Sequence, residues 1–191
     1  VHVLGKINTK NLSYEELTKE INIHTGGINY SVESLAFNGK DGQFTPKLLV
    51  RSKALVDKVP KLLELLNEVV TGSMFQDAKR LKEIIQETRS RMEMVIYQSG
   101  NAVAMNRLSS YFAPAGKFTE LSAGITFYHF LRDIERNFES KSNELIDKLT
   151  RAAKMIFRKN GLTAGITLPD DDYPGFSRQF AIFTDSLPVC E

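Results

Sequence analysis

The order of apolar and polar residues near the start of the chain predicts a helix that runs into a strand. Ser13, followed three residues later by Glu16, forms a capping box, so this helix is expected to begin at Tyr14. Gly26 and Gly27 supply the positive backbone φ that commonly ends a helix. The alternating apolar residues that follow are typical of a half-buried strand.

Two strands are predicted after this helix. Ile28 to Phe37 and Phe44 to Val56 are rich in β-branched and aromatic residues, and the cluster Asn38 to Gly42 between them has the composition of a turn. The two strands are therefore expected to form a β-hairpin.

Helical periodicity dominates the middle of the chain. Apolar residues at helical spacing predict one helix from Val59 to Val70 and a longer one from Asp77 across Gly100 to Phe112. A loop is expected at Ala113 to Gly116. Two further helices are expected from Thr119 to Asn137 and from Ser142 or Asn143 to Phe157.

A short strand and a tail helix complete the predicted order. Leu162 to Leu168 has the composition of a strand and follows the helix stop signal Asn160-Gly161, and a last apolar patch runs from Phe176 to Phe183. The fold class expected from this order is α+β, a two-layer domain with helices packed on one face of a mainly antiparallel sheet.

Composition and charge indicate an ordinary folded domain. Of the 191 residues 42% are hydrophobic, and 25 basic residues are scattered among 23 acidic ones, so nucleic acid is not an expected partner. No apolar run approaches the roughly 18 residues of a membrane span, so no membrane partner is expected. Cys190 is the only cysteine, which excludes an internal disulfide and a cysteine-based metal site.

The three histidines do not form a recognisable metal motif. His2, His24 and His129 lie far apart, and none belongs to an H-E-x-x-H or H-x-x-E-H signature. His24 is expected to satisfy carbonyl groups at a helix end, with a ligand or proton carrier as the alternative. His129 is expected to be a partly buried helix residue.

The charged clusters also have ordinary interpretations. Asp170 to Asp172 lacks the ligand spacing of a calcium loop and is expected to be a solvated turn that caps the tail helix, with cation binding as the alternative. Arg89 and Arg91, like Arg132 and Arg136, have acidic neighbours, which is typical of a solvated helix face rather than of a site for an acidic partner. The residues themselves therefore predict no catalytic, cofactor-binding or metal-binding site.

Five segments nevertheless resemble one protein family. They are Leu4 to Ile28, Phe75 to Leu81, Ser99 to Ala102, Gly124 to Leu131 and Ile156 to Leu162. In this order they resemble the third, peptidase-associated domain of the presequence-protease branch of the insulinase-type zinc metallopeptidases. The resemblance covers nearly the whole chain.

The resemblance implies a parent protein of four homologous domains that close around a chamber and degrade unfolded peptides. Its zinc would be held in the first domain by an H-x-x-E-H helix, which this sequence lacks, so no cofactor or metal is expected here and the fragment alone is expected to be inactive. Residues 1–168 would form an insulinase-like domain without its first strand and helix. Residues 169–191 would lead towards the next domain.

The same resemblance implies a place for substrate. In the catalytic domain of such enzymes, the strand after the corresponding glycines receives peptide by main-chain pairing at a sheet edge. Ile28, Tyr30 and Val32 occupy the equivalent place and are the candidate chamber-lining residues. The alternative is that these three side chains simply face the core.

The expected function is that of a non-catalytic structural and substrate-chamber domain of a zinc-dependent oligopeptidase. Its partners would be the other domains of the same polypeptide and unfolded peptides. Its compartment would be the cytoplasm in a bacterium, or the mitochondrial matrix or plastid in a eukaryote. The alternatives are a self-standing interaction module that uses an exposed sheet edge, and a cryptic hydrolase.

Overall fold

The computed structural model describes residues 1–37, 39 and 42–189. Helices predominate in these residues and are accompanied by one two-stranded antiparallel sheet, which confirms the α+β class. Short 3-10 turns at Val56–Lys58 and Asp170–Asp172 precede the second and the last helix. The elements are α1 (Tyr14–His24), β1 (Ile28–Ala36), β2 (Phe44–Ser52), α2 (Val59–Gly72), α3 (Ala78–Gln98), α4 (Gly100–Ser109), α5 (Pro114–Ala123), α6 (Ile125–Arg136), α7 (Phe138–Ile156) and α8 (Tyr173–Asp185).

The predicted start of α1 is confirmed. The Ser13 hydroxyl accepts from the Glu16 N–H at 3.2 Å, and the Glu16 carboxylate accepts from the Ser13 N–H at 2.9 Å. Both donors would otherwise lack an intrahelical partner. Leu17, one residue further on, is fully buried and is worth roughly 1.5–3 kcal/mol as a buried leucine.

The hairpin forms as predicted, but its second strand is shorter. β1 pairs with β2, and the Phe37 N–H donates to the Gln43 carbonyl at 3.2 Å. The prediction that the second strand reaches Val56 is wrong, because Lys53 leaves the ladder and Val56 enters a 3-10 turn. The predicted turn residues Asn38, Lys40 and Asp41 lie outside the described residues.

The long helix predicted from Asp77 to Phe112 is two helices. Ser99, at φ −136° and ψ 43°, departs from helical geometry between α3 and α4. Gly100 follows directly, and glycine disfavours a helix interior because of its backbone freedom.

Two further predictions in the middle of the chain are wrong. Residues 113–116 are not a loop, because Pro114 occupies the first position of α5, where its missing N–H is tolerated. The helix predicted from Thr119 to Asn137 is divided at Gly124, which ends α5 and caps α6.

The last third of the chain differs from prediction at both of its ends. α7 begins at Phe138 rather than at residue 142 or 143. The strand predicted from Leu162 to Leu168 is wrong, since this stretch is irregular and largely exposed in the structure and has no strand beside it among the described residues. A tail helix does follow, as α8.

One compact unit comprises Val1–His2, Tyr30–Val50 and Ala78–Glu144. Within it α3 packs on α6, and α5 packs on both α4 and α6. The hairpin contacts α5, where the Phe44 and Phe118 rings lie 5.7 Å apart. The buried apolar residues are Leu81, Ile84, Ile85, Leu131, Ile134 and Phe138.

A second compact unit comprises Val3–Asn29, Arg51–Asp77 and the described part of residues 145–191. α2 is its central helix and packs on both α1 and α8. The buried apolar residues are Ile7, Leu17, Leu62, Leu63, Leu65, Val69, Phe75 and Leu187.

Candidate functional site

β1 carries the three residues predicted to line a substrate chamber. Ile28 and Tyr30 are half-buried, whereas Val32 is 36% exposed. β1 pairs with β2 on one side, and within the described residues no other strand pairs with its second edge. Such an edge offers a row of backbone donors and acceptors to which an extended peptide can bind.

Tyr30 differs from its two neighbours because its hydroxyl is buried. The hydroxyl oxygen has no hydrogen-bond partner within the part of the chain that the structure describes. Burial raises the pKa of the Tyr30 phenol, so this group is neutral at physiological pH. A buried hydroxyl without a partner costs about 1–3 kcal/mol, which makes Tyr30 a hydrogen-bond donor ready for an acceptor.

The junction between α1 and β1 fixes where the strand begins. The Gly26 N–H donates to the Lys53 carbonyl at 2.7 Å, and the Gly27 N–H donates to the Thr25 hydroxyl at 2.9 Å. Gly27 has a φ of +102°, and a Cβ on Gly26 would lie 2.5 Å from the Lys53 side chain. Both glycine N–H groups are therefore used inside the fold rather than presented to an anion.

The histidines are separate, as their sequence positions suggested. His24 Nε2 lies 3.6 Å from Glu20 Oε2 within α1. The His2 ring stacks on Phe127 at 5.4 Å between centroids, and His129 lies against its neighbour Tyr128. Among the described residues, no three His, Cys, Asp or Glu side chains are grouped so that they could hold a metal ion.

Arg89 lies in a charged network between α3 and α6. Its Nη1 donates to Glu93 at 2.8 Å, and its Nε lies 2.5 Å from Glu135 Oε2. Burial alone would lower the pKa of this guanidinium, but the two carboxylates outweigh it and raise the pKa. The Tyr128 hydroxyl donates to Glu93 at 3.2 Å. The sequence missed this network, in which Arg89 holds two helices together.

A second polar cluster that the sequence missed joins α4, α5 and α6. The fully buried Glu120 carboxylate accepts through Oε1 from the Thr126 N–H at 3.0 Å and from the Thr126 hydroxyl at 2.9 Å. Arg107 donates to the same oxygen at 3.3 Å. A carboxylate at the first turn of α6 satisfies a free N–H and faces the positive end of the helix dipole.

Gly124 makes this cluster possible. A Cβ at this position would overlap Glu120 Oε2 and lie 2.8 Å from the Glu120 Cα. The spacing E-x-x-x-G-x-T from Glu120 to Thr126 is the sequence signal, and its last part belongs to the segment that carries the family resemblance.

A third polar cluster connects the segment before α1 to α2. Asn11 donates from its backbone N–H to Glu68 Oε1 at 3.0 Å and from its side chain to Glu68 Oε2 at 2.8 Å. Thr9 and Ser73 form an antiparallel bridge beside this pair. Residues 8–13 also line an open cavity of about 370 Å³ with Met74 and Asp77. This cluster explains the family-like run before α1 as an anchor.

Comparison with known proteins places these features in a family. The domain associated with peptidases of metallopeptidase family sixteen, subfamily C, matches residues 1–134 of this chain. The chain is 34% identical to Protein HypA of Clostridium perfringens over 93% of its own length and 18% of that protein.

Plant and animal proteins are similar to the chain as well. It is 26% identical to presequence protease 1, chloroplastic/mitochondrial, of Arabidopsis thaliana, over 97% of this chain and 17% of that protein. It is 25% identical to the mitochondrial presequence protease of Drosophila melanogaster, over 98% of this chain and 18% of that protein. The chain thus spans less than a fifth of the length of these relatives. No helix in the described ranges is long and apolar enough to cross a membrane. The chain belongs to this peptidase-associated family, whose relatives include the presequence proteases.

Proposed function

We propose that this chain is a non-catalytic structural and substrate-chamber domain of a zinc-dependent oligopeptidase that degrades unfolded peptides. The observation that carries the proposal is the family match over residues 1–134, in relatives of which this chain spans under a fifth. Zinc and the hydrolytic residues would lie in other domains of the same polypeptide. Those domains and unfolded peptides would be the partners.

The open reading frame that contains this chain tests the proposal directly. We expect an H-x-x-E-H motif several hundred residues upstream, because two residues of such a helix would be the histidine ligands of zinc. A complete reading frame without this motif would contradict the zinc peptidase.

The free edge of β1 is the proposed place of substrate in this domain. An extended peptide would pair with the β1 backbone near Ile28, Tyr30 and Val32, a mode that accepts many sequences because it uses main-chain groups. The insulinase-like fold requires a further strand, and a sheet strand has only two edges. That strand would therefore pair with β2, and a two-stranded sheet gains stability from the addition.

Two valines of similar exposure allow a controlled test of the β1 edge in the intact peptidase. Val32, on β1, is 36% exposed, and Val50, on β2, is 38% exposed. We expect Val32→Glu to change KM for an unstructured peptide several-fold and Val50→Glu to leave it unchanged. Equal effects of both variants would argue against a specific role of β1.

Tyr30→Phe provides a second measurement, because it removes the unpartnered hydroxyl and keeps the ring. If the Tyr30 hydroxyl meets a peptide carbonyl, the variant should raise KM and leave the thermal stability unchanged. If Tyr30 serves only the core, peptide cleavage should be unchanged and stability should rise slightly, because an unpaired buried group is lost.

The sheet edge also supports the alternative of a self-standing interaction module, whose partner would be another protein strand. The residue range would then be independent of any peptidase. The remaining boundaries and compartments are part of the main proposal: an insulinase-like domain at 1–168, a connecting segment at 169–191, and a bacterial cytoplasmic, mitochondrial or plastid location.

A further inference from the structure

α4 is a helix without a buried face. Within Gly100–Ser109 only Val103 and Arg107 are half-buried, and the remaining residues are exposed. A helix of ten residues is marginal in water, and most helical stability in proteins comes from packing of an apolar face. α4 therefore needs a contact that the described residues do not supply.

The exposed side of α4 is strongly apolar. Met105 is 71% exposed, Leu108 57%, Tyr111 68% and Phe112 80%. Met105 and Leu108 are three residues apart and lie on one side of the helix. The Tyr111 N–H donates to the Leu108 carbonyl at 3.0 Å, so the helical path continues into this pair of aromatic residues. We call these four side chains the α4 surface.

Charge is depleted around the α4 surface. From residue 94 to residue 119 the only charged residues are Arg107 and Lys117, although 25% of the whole chain is charged. Arg107 is engaged with Glu120 and covers the Tyr111 ring at 5.4 Å. Few charges together with Tyr, Phe, Met and Arg are the composition of the core of a protein interface, and not that of a solvated surface.

We propose that the α4 surface is the contact through which this domain packs on an apolar surface of another domain of the same polypeptide. The inference rests on the proposed function in one respect, that this chain is one domain of a longer protein. The relatives are more than five times as long as the matched segment, so most of such a polypeptide lies outside the described structure. A tethered domain has a high effective concentration and occupies an apolar face ahead of a free partner.

Methionine oxidation in the full-length polypeptide tests the inference, because the rate follows the exposure of the sulfur. Met105 is 71% exposed in this chain, and Met155 is 64% exposed. Dilute hydrogen peroxide followed by peptide mass spectrometry gives the rate at each methionine, relative to the urea-unfolded protein. We expect Met105 to react at least about ten-fold more slowly in the native than in the unfolded polypeptide.

The other occupants give different results. If Met105 reacts at close to its unfolded rate in the substrate-free monomer, the inference is overturned. Protection that appears only with a bound peptide would assign the surface to substrate, and protection that disappears on dilution would assign it to a second copy. Either result would also overturn a contact between domains.

A substitution pair adds a control. In the full polypeptide Leu108→Asp should raise the rate at Met105 towards the unfolded value, because a charge cannot be buried there without a partner. Leu162→Asp, at a position 44% exposed in an irregular segment, should leave the Met105 rate unchanged. If Leu108→Asp prevents folding, the wild-type Met105 rate still decides.

The result is separable from the proposed function. A polypeptide without a zinc motif but with a protected Met105 would contradict the peptidase and support the contact. A zinc peptidase with a freely reactive Met105 would do the reverse.

Discussion

Gly124 leaves no room for a side chain, because the Glu120 carboxylate lies over it. We expect Gly124→Ala to lower the free energy of unfolding by about 1–3 kcal/mol, as overpacking of a filled site commonly does. The new methyl group would displace Glu120 from the Thr126 N–H and hydroxyl. Urea denaturation of the variant and wild type measures the difference.

Gly100→Ala is the matched control, because nothing lies within 4 Å of a Cβ there and its φ is not positive. Gly100 is the first residue of α4, so alanine should raise stability by about 0.4–1 kcal/mol. A loss of stability in Gly100→Ala equal to that in Gly124→Ala would show that overlap with Glu120 is not the cause.

Glu68 makes the anchor before α1 sensitive to pH. Burial raises the pKa of the Glu68 carboxyl, but hydrogen bonds from Thr9 and Asn11 outweigh burial and leave the pKa below its ordinary value. A depressed carboxyl pKa stabilises the folded state above the unfolded pKa of about 4.3. This contribution is lost as the pH falls through the folded pKa.

Glu68→Gln should therefore cost about 1–2 kcal/mol at pH 7, since a glutamine has one acceptor oxygen for the two donors of Asn11. The difference from wild type should shrink below pH 4, and denaturation over a pH series measures it. Glu64→Gln, in the same helix and 67% exposed, should change stability by under about 0.5 kcal/mol. A difference at Glu68 that persists at low pH would contradict the role of its charge.

At the scale of elements, the packing of α3 on α6 supplies much of one core. Ile84 is 1% exposed in α3. Ile84→Ala should cost about 2–5 kcal/mol, because a cavity remains where the side chain was. Gln86→Ala, two residues away on the exposed side, should stay within about 0.5 kcal/mol. Similar values for both variants would mean that α3 is not held by this face.

The start of α1 was predictable because all of its determinants lie within four residues. Ser13 and Glu16 complete each other's hydrogen bonds without help from the rest of the fold. Local sequence also sufficed for the hairpin, where two β-rich runs flank a turn-rich cluster. These elements depend on contacts close in sequence.

The helix breaks could not be predicted from periodicity. The apolar spacing continues through Ser99 and through Gly124, so one long helix fits the pattern in each case. At Gly124 the break depends on where the Glu120 carboxylate points, which is a packing result. Leu162 to Leu168 failed for the opposite reason, since a strand-like composition forms no strand without a neighbour.

The candidate site was predictable in part for the same reason. The position of β1 follows from the glycine junction, and Ile28, Tyr30 and Val32 lie on it as expected. Their differing burial was not evident from alternation, because it depends on which elements cover each residue. The contribution of these residues to peptide binding remains a prediction.

At the scale of the whole molecule, metal removal separates the chemistry of the parent protein from the stability of this domain. The described residues contain no group arranged to hold a metal ion, and the proposed zinc would lie in another domain. In the intact protein, a chelator should therefore abolish peptide cleavage.

The same treatment should leave hydrogen exchange in α2, α3 and α6 unchanged, because their protection comes from buried apolar residues such as Leu65, Ile84 and Leu131. Mass spectrometry of exchange with and without chelator measures both domains in one sample. Faster exchange in these three helices after chelation, at a constant rate elsewhere, would place a metal within this chain. Such a result would require that residues of this domain join the metal site. Unchanged exchange with lost cleavage is the outcome expected of a domain that encloses the reaction without performing it.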